Sequence, residues 1–423
     1  MIKRVKRVKK LFGEIEIPSD KSISHRAVML SSIADGVAVV RNFSNGADCN
    51  STLELFRNLG VEIKFLDNNT LQIKGGKLKS SASGIYSCGN SGTTMRLVSG
   101  ILAGQNFNSI LVGDKSLSKR PMKRIIEPLT LMGAEITSND GKAPLNIIGH
   151  KLSGIDYCSD ISSAQVKSCV LLAGLRAEGK TSYSEKFTSR NHTEIMLKYL
   201  GAKIETDKNK TVVSPSELVA KDIEVVGDIS SAAFFIVAGL IVPNSDIVIK
   251  NVGINPTRTG LLDIVQRMGG NFEILNERIV AGEKCANIRV KYTETLKGCV
   301  IAGEDIPKLI DELPVIAVLA SQAQGETIVK DAGDLRNKES DRITCLVNEL
   351  KNIGMNIDET SDGFVVRNSK LMGDAELESF NDHRLAMSFY VAGLVCENEI
   401  AINGFEWTKI SFPDFENLIS SLS

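Results

Sequence analysis

An apolar, helix-like run ending in small residues recurs along the chain. It reads AVMLSSIADG up to Gly36, RLVSGILAG up to Gly104, VLLAG up to Gly174, FFIVAG up to Gly239 and MSFYVAG up to Gly393. The first spacings are 68, 70 and 65 residues, and the run VIAVLAS around Ala320 divides the longer gap that follows. A second series interleaves with the first, in which an apolar run is followed by glycine and a strand-like segment. It appears as LFRNLGVEI (Gly60), LTLMGAEI (Gly133), LKYLGAKI (Gly201), IVQRMGGNFEI (Gly269) and LKNIGMNI (Gly354). Glycine suits a helix C-terminus because the left-handed conformation costs it nothing. Six units of about 70 residues then account for nearly the whole chain, the signature of one supersecondary unit used repeatedly. Each unit reads helix, Gly-ended helix, then short alternating strands such as 70–74 and 363–367. The sixth lacks its Gly-ended element because the chain stops at Ser423. An N-terminal strand over 3–11 is expected to complete it, which makes the termini neighbours. This is an α/β pattern without the glycine fingerprint of a dinucleotide-binding βαβ unit.

Composition narrows the function. The 423 residues argue for two or three domains with ample core. Fifty Lys and Arg against 51 Asp and Glu exclude a global polyanion binder, so any cationic function must be local. The longest apolar stretches, such as 232–242, are too short for a bilayer, and no signal-like segment opens the chain. Eight cysteines without a Cys-x-x-Cys pair predict a reduced, cytoplasmic chain. His25, His150, His192 and His383 have no metal-ligand spacing, and His25 or His383 taken alone reads as structural.

Local cations cluster where the helices of the first series begin. Four of these starts are polar: 19–26 (SDKSISHR), 89–96 (GNSGTTMR), 160–165 (DISSAQ) and 380–384 (FNDHR). Ser, Thr, Asn and Asp cap the free N–H groups there, and a helix N-terminus favours an anion. Lys or Arg at such a point works against the helix dipole, a cost explained if several ends converge on an anion. Loops 118–121 (SKRP) and 336–342 (RNKESDR) add cations, with the carboxylates Asp311 and Glu339 among them. Many cations and few acids suit two small, multiply anionic substrates, leaving the acids for proton transfer. Taken singly, an arginine at a helix start is more often a surface ion-pair partner. The turn 89–92 lacks a P-loop ending, and the basic stretch 3–10 reads as a solvated edge strand.

In combination these segments resemble the 5-enolpyruvylshikimate-3-phosphate synthase family over essentially the whole chain. The matching stretches are 18–26, 89–96, 119–122, 162–167, 190–194, 336–342, 381–384 and Lys409. The resemblance implies an inside-out α/β barrel fold with two domains, each of three βαβαββ units. One domain would comprise 1–19 with 229–423 and the other 20–228, hinged near 19–21 and 228–231. It implies transfer of the carboxyvinyl group of phosphoenolpyruvate to the 5-hydroxyl of shikimate 3-phosphate by addition and elimination. No metal or organic cofactor is implied. Lys21, Ser22, Arg26, Ser162, Ser163, Gln165, Arg190, Asp311 and Lys338 correspond to shikimate 3-phosphate contacts. Lys21, Gly92, Arg120, Gln165, Glu339, Arg342, Arg384 and Lys409 correspond to the phosphoenolpyruvate side. Asp311, Glu339 and Lys21 are the implied catalytic groups.

Segments 190–194, 113–116, 162–167 and 255–258 resemble the class II subgroup, associated with glyphosate tolerance, whereas Gly92 retains the small residue of sensitive members. Asp334 stands where relatives commonly carry Asn or Glu, and has no assigned role. Two alternatives stay open. One is the sister transferase acting on UDP-N-acetylglucosamine, which usually has a reactive cysteine in the loop matching 116–121. No cysteine lies between Cys88 and Cys158 here. The other is a non-catalytic phosphometabolite-binding relative. The resemblance also implies a monomer, and the charge balance and short apolar runs predict neither a nucleic-acid nor a membrane partner. Crowded cations should keep the free domains open until ligand binds, a change in radius of gyration that solution scattering would read.

Overall fold

A computed structural model of the chain describes residues Met1–Ser423. The chain divides into two compact units: Ser19–Val226 with Ile279–Glu283, and Met1–Pro18 with Gly227–Arg278 and Lys284–Ser423.

In the first unit, helices α1 (Lys21–Ile33), α2 (Gly92–Ala103) and α3 (Ala164–Gly174) are buried over most of their length. They are buried on nearly every face, and their polar residues, among them Ser24, His25, Arg26, Thr94 and Lys167, are buried with the apolar ones. Three four-stranded sheets surround them. The first runs Ile223–Glu224, Gly36–Arg41, Leu71–Gly75, Glu62–Phe65. The second runs Ile85–Ser87, Ser109–Val112, Lys142–Ile148, Glu135–Asn139, and the third Asp156–Ser159, Thr181–Glu185, Lys210–Val213, Ile204–Asp207. In each, the first pair is parallel and the others antiparallel. An outer helix leads into each terminal hairpin: Ala47–Asn58, Lys123–Leu131 and His192–Tyr199.

The second unit repeats the plan. Helices α4 (Ile229–Ile241), α5 (Leu313–Ser321) and α6 (His383–Gly393) pack together at its centre. Its first sheet runs Phe12–Glu16, Asp246–Gly253, Glu283–Lys291, Asn271–Val280. The next runs Val300–Ile301, Glu326–Val329, Phe364–Arg367, Ile357–Glu359. The last is three-stranded: Glu376–Glu378, Ile400–Asn403 and the N-terminal Ile2–Val5, paired in antiparallel register from Ile2 with Asn403 to Val5 with Ile400. The strand expected over 3–11 is thus confined to Ile2–Val5. Beyond Val5, pairs of cations flank Val8 and no apolar face remains for the ladder. Ile2–Val5 is an edge strand, and its Lys3 and Arg4 pair with Glu416 and Glu399.

The two glycine series have different physical roles. Gly60, Gly133, Gly201, Gly269 and Gly354 all have φ between +80° and +95°, left-handed terminators of the outer helices. Close approach governs the inner helices instead. A Cβ on Gly100 would lie 2.1 Å from the Cys169 carbonyl oxygen, so α2 and α3 meet backbone to backbone.

Candidate active site

The start of α1 carries Lys21 and Arg26, the starts of α2 and α3 carry Gly92 and Gln165, and Arg120 and Arg190 come from the segments outside these helices. Asp20 caps α1 by accepting the Ile23 N–H at 2.8 Å. Lys21, at the first helical position, is balanced by Asp48 of the outer helix, Nζ to Oδ2 3.1 Å. Arg26 lies one turn on and is buried. It donates to Thr193 Oγ1 at 2.7 Å, Ser168 Oγ at 2.8 Å and the Ser22 carbonyl at 3.0 Å. Burial pulls its pKa down to about 10, partly offset by Glu194.

Ser91 caps α2 by accepting the Thr94 N–H at 3.1 Å. Arg96 Nη1 donates to Gln165 Oε1 at 2.5 Å, and Gln165 Nε2 donates to Thr93 Oγ1 at 3.1 Å. One amide therefore ties the start of α3 to the start of α2. A Cβ on Gly92 would lie 3.1 Å from Arg96 Nη1 and 3.6 Å from Arg120 Nη1. A side chain there would crowd the Arg96 guanidinium and lie in ordinary contact with that of Arg120. Arg120 Nη2 donates to Asn90 Oδ1 at 2.7 Å. Ser163 is the N-terminal flanking residue of α3, Ser162 Oγ accepts the Phe187 N–H at 2.9 Å, and half-buried Arg190 precedes the helix His192–Tyr199.

In the second unit a single guanidinium organises both predicted acids. Arg342 opens the helix Arg342–Asn352 and is only 2% exposed. Its Nη2 reaches Glu339 Oε2 at 2.7 Å and its Nη1 reaches Asp311 Oδ1 at 3.5 Å. Its remaining edge grips Asp382 bidentately, Nε to Oδ2 2.7 Å and Nη2 to Oδ1 3.2 Å. Burial disfavours the Arg342 charge, but Asp382, Glu339 and Asp311 outweigh it and hold its pKa above the ordinary arginine value. Burial would likewise raise Asp382, yet Arg342 keeps it below the usual carboxylate range. Asp311 also faces Lys338 at 3.6 Å and Arg384 at 4.0 Å, and its carbonyl accepts from Arg384 Nη1 at 3.1 Å. Asp334 lies 3.7 Å from Lys338 Nζ. Lys409, exposed on the turn Phe405–Ile410, is not drawn into this cluster.

Three features escape a reading along the chain. Asp382 caps α6 and anchors Arg342, whose partner is 40 residues away. Lys167 is buried between Glu185 at 3.0 Å and Glu194 at 2.9 Å. A third buried network links Arg258 to Asp228 and to Ser230, and Ser230 to Glu312. Residues 167, 194, 258 and 382 lie in segments singled out by motif, but nothing local specifies their partners.

Comparison with known proteins places the chain. The family model described as EPSP synthase (3-phosphoshikimate 1-carboxyvinyltransferase) matches residues 5–419. A 3-phosphoshikimate 1-carboxyvinyltransferase of Thermoanaerobacter sp. (strain X514) is 50% identical over 414 residues, covering 97% of each chain. One from Citrifermentans bemidjiense is 50% identical over 423 residues, covering 99% of this chain and 98% of the relative. Among solved structures, EPSP synthase from Acinetobacter baumannii superposes with a TM-score of 0.90 at 43% identity, covering 100% and 98% of the two chains. The enolpyruvyl transferase NikO from Streptomyces tendae shares the fold alone, at TM-score 0.80 and 16% identity, covering 100% and 97%. Six repeated units, two compact halves and full-length similarity converge on one conclusion: the chain belongs to the EPSP synthase family.

Proposed function

We infer that the protein is a 3-phosphoshikimate 1-carboxyvinyltransferase, an enzyme of the shikimate pathway to aromatic amino acids. The acceptor's 5-oxygen adds to C2 of phosphoenolpyruvate while the methylene carbon gains a proton. The resulting tetrahedral intermediate then loses a methyl proton and inorganic phosphate, which leaves the enol ether. The observation that carries this reading is the single buried guanidinium of Arg342 holding Asp311 and Glu339 among further cations.

In this reading Asp311 takes the 5-hydroxyl proton and Glu339 exchanges the proton at the methylene carbon. Lys21 neutralises charge between the substrates. Ser22, Arg26, Ser162, Ser163, Gln165, Arg190 and Lys338 hold shikimate 3-phosphate, together with Lys21 and Asp311. Arg26 uses three of its five N–H donors within the fold and keeps two for that ligand. Gly92, Arg120, Arg342, Arg384 and Lys409 hold phosphoenolpyruvate, with Lys21, Gln165 and Glu339. The arrangement of Gly92 between two guanidiniums supports an anion there.

Lys21, Arg26 and Arg190 of the acceptor side lie in Ser19–Val226, and both acids with Arg342, Arg384 and Lys409 lie in the other unit. We therefore propose that the first unit is mainly the acceptor side and that the second supplies the acids and most cations of the phosphoenolpyruvate side. We also propose that the enzyme works as a cytoplasmic monomer. No helix is long and apolar enough to cross a membrane. The test is phosphate release from phosphoenolpyruvate with shikimate 3-phosphate, with UDP-N-acetylglucosamine, and with neither. Release only with shikimate 3-phosphate supports the reading. Release only with the nucleotide sugar moves the acceptor assignment to the sister enzyme, and silence with both favours a binding protein.

A further inference from the structure

We infer that His25, Thr52 and Thr94 are positioning residues for the phosphoenolpyruvate side, acting as a one-way hydrogen-bond relay that fixes the start of α2 against the helix Ala47–Asn58. This rests on Gly92 facing phosphoenolpyruvate, as proposed above.

The relay is a chain of four buried side chains. His25 Nδ1 lies 2.6 Å from Thr52 Oγ1, and Thr52 Oγ1 lies 2.7 Å from Thr94 Oγ1. Thr94 Oγ1 donates to Ser91 Oγ at 2.7 Å. Each residue has at most 0% exposure, so water does not intervene. Counting protons sets the direction. A threonine hydroxyl has one hydrogen to give. Thr94 spends its hydrogen on Ser91, so Thr52 must donate to Thr94. Thr52 has then spent its own, so His25 must donate from Nδ1. The ring is therefore the neutral Nδ1–H tautomer, and its Nε2 lone pair is buried with no hydrogen-bond partner. Burial pushes the ring pKa down to about 3, which agrees with a neutral histidine.

The relay ends on the residue that caps α2. Ser91 Oγ accepts both the Thr94 hydroxyl and the Thr94 N–H, so its orientation is fixed directly before Gly92. The outer helix supplies a second rung one turn earlier. Lys21 and His25 are four residues apart on α1, and their partners Asp48 and Thr52 are four apart on that helix. The turn preceding Gly92 also leans on it, since a Cβ on Gly89 would lie 2.5 Å from Ser51 Oγ. One helix face thus sets Lys21 through Asp48 and Gly92 through Thr52. Its residues touch neither substrate in the proposed reading.

The test combines kinetics and spectroscopy on the full chain. Thr52→Val keeps the β-branched shape and breaks the relay at its centre. Losing one neutral hydrogen bond in a positioning role should raise KM for phosphoenolpyruvate about three- to tenfold. KM for shikimate 3-phosphate should stay unchanged, and Thr52→Ser should restore the wild-type value. An unchanged phosphoenolpyruvate KM, or an equal rise for both substrates, overturns the inference. Nitrogen-15 NMR of His25, assigned with His25→Gln, reads the tautomer without reference to activity. A neutral Nδ1–H ring through mildly acid pH is expected, and an Nε2–H ring overturns the relay. An inactive wild-type protein would sink the proposed function while leaving the tautomer test intact.

Discussion

Asp382→Ala removes the carboxylate on which Arg342 most depends. The pair is joined by bonds of 2.7 and 3.2 Å, and the two side chains are 2% and 0% exposed, so water cannot take the carboxylate's place. Stranding a buried charge of this kind costs about 3–5 kcal/mol. Glu339 remains at 2.7 Å and Asp311 at 3.5 Å, which puts the loss at the lower end, about 3 kcal/mol. Asp382 also caps α6, accepting the Arg384 N–H at 2.9 Å, and losing that cap adds about 1 kcal/mol. Urea unfolding should therefore show a deficit of about 4 kcal/mol, a large part of a domain's net stability. Because most of the loss is an orphaned guanidinium, adding Arg342→Met should recover part of it. The double variant should lie at least about 1 kcal/mol above the sum of the single effects. A deficit below about 1 kcal/mol for Asp382→Ala, or strict additivity, would refute the view that this pair is the anchor.

Other expectations follow from the same contacts. Asp311→Asn should lower kcat far more than it raises either KM, whereas a change confined to binding would remove Asp311 from proton transfer. Gly100→Ala sets a methyl 2.1 Å from the Cys169 carbonyl oxygen. It should cost at least about 2 kcal/mol in urea unfolding, and a neutral outcome would mean α2 and α3 can part freely. Asp382 is held below the usual carboxylate range in the fold, so its stabilisation is complete above the unfolded value of about 3.9. That stabilisation is lost as pH falls through the lower, folded value, and Asp382→Asn should flatten the acid limb of the stability profile. From the class II resemblance, glyphosate should inhibit weakly, and potent inhibition competitive with phosphoenolpyruvate would contradict it.

Local rules made the architecture legible where the same rule repeats. The Gly60, Gly133, Gly201, Gly269 and Gly354 series marks left-handed helix ends because only the immediate backbone decides that conformation. The inner helices are legible because their apolar runs end in small residues at a repeated spacing. The strand between each inner and outer helix, such as Ser109–Val112, is too short to declare itself by alternation. Close approach is harder still. Gly100 is a mid-helix glycine until Cys169, on a different helix, is placed against it. The site follows the same division. Charge and capping motifs pointed to the helix starts, but the partners of Arg342, Lys167 and His25 come from other elements. Hydrogen-bond geometry across elements has no periodicity to read.

At the centre of the proposed function is carbon transfer from phosphoenolpyruvate to the acceptor's 5-oxygen. Carbon-13 and phosphorus-31 NMR of labelled phosphoenolpyruvate with shikimate 3-phosphate and the enzyme tests it most directly. One inorganic phosphate is expected for each labelled enol ether formed at the 5-oxygen, with the 3-phosphate retained. Phosphate release with free labelled pyruvate and unchanged acceptor, or label appearing only on a nucleotide sugar supplied in its place, would contradict it.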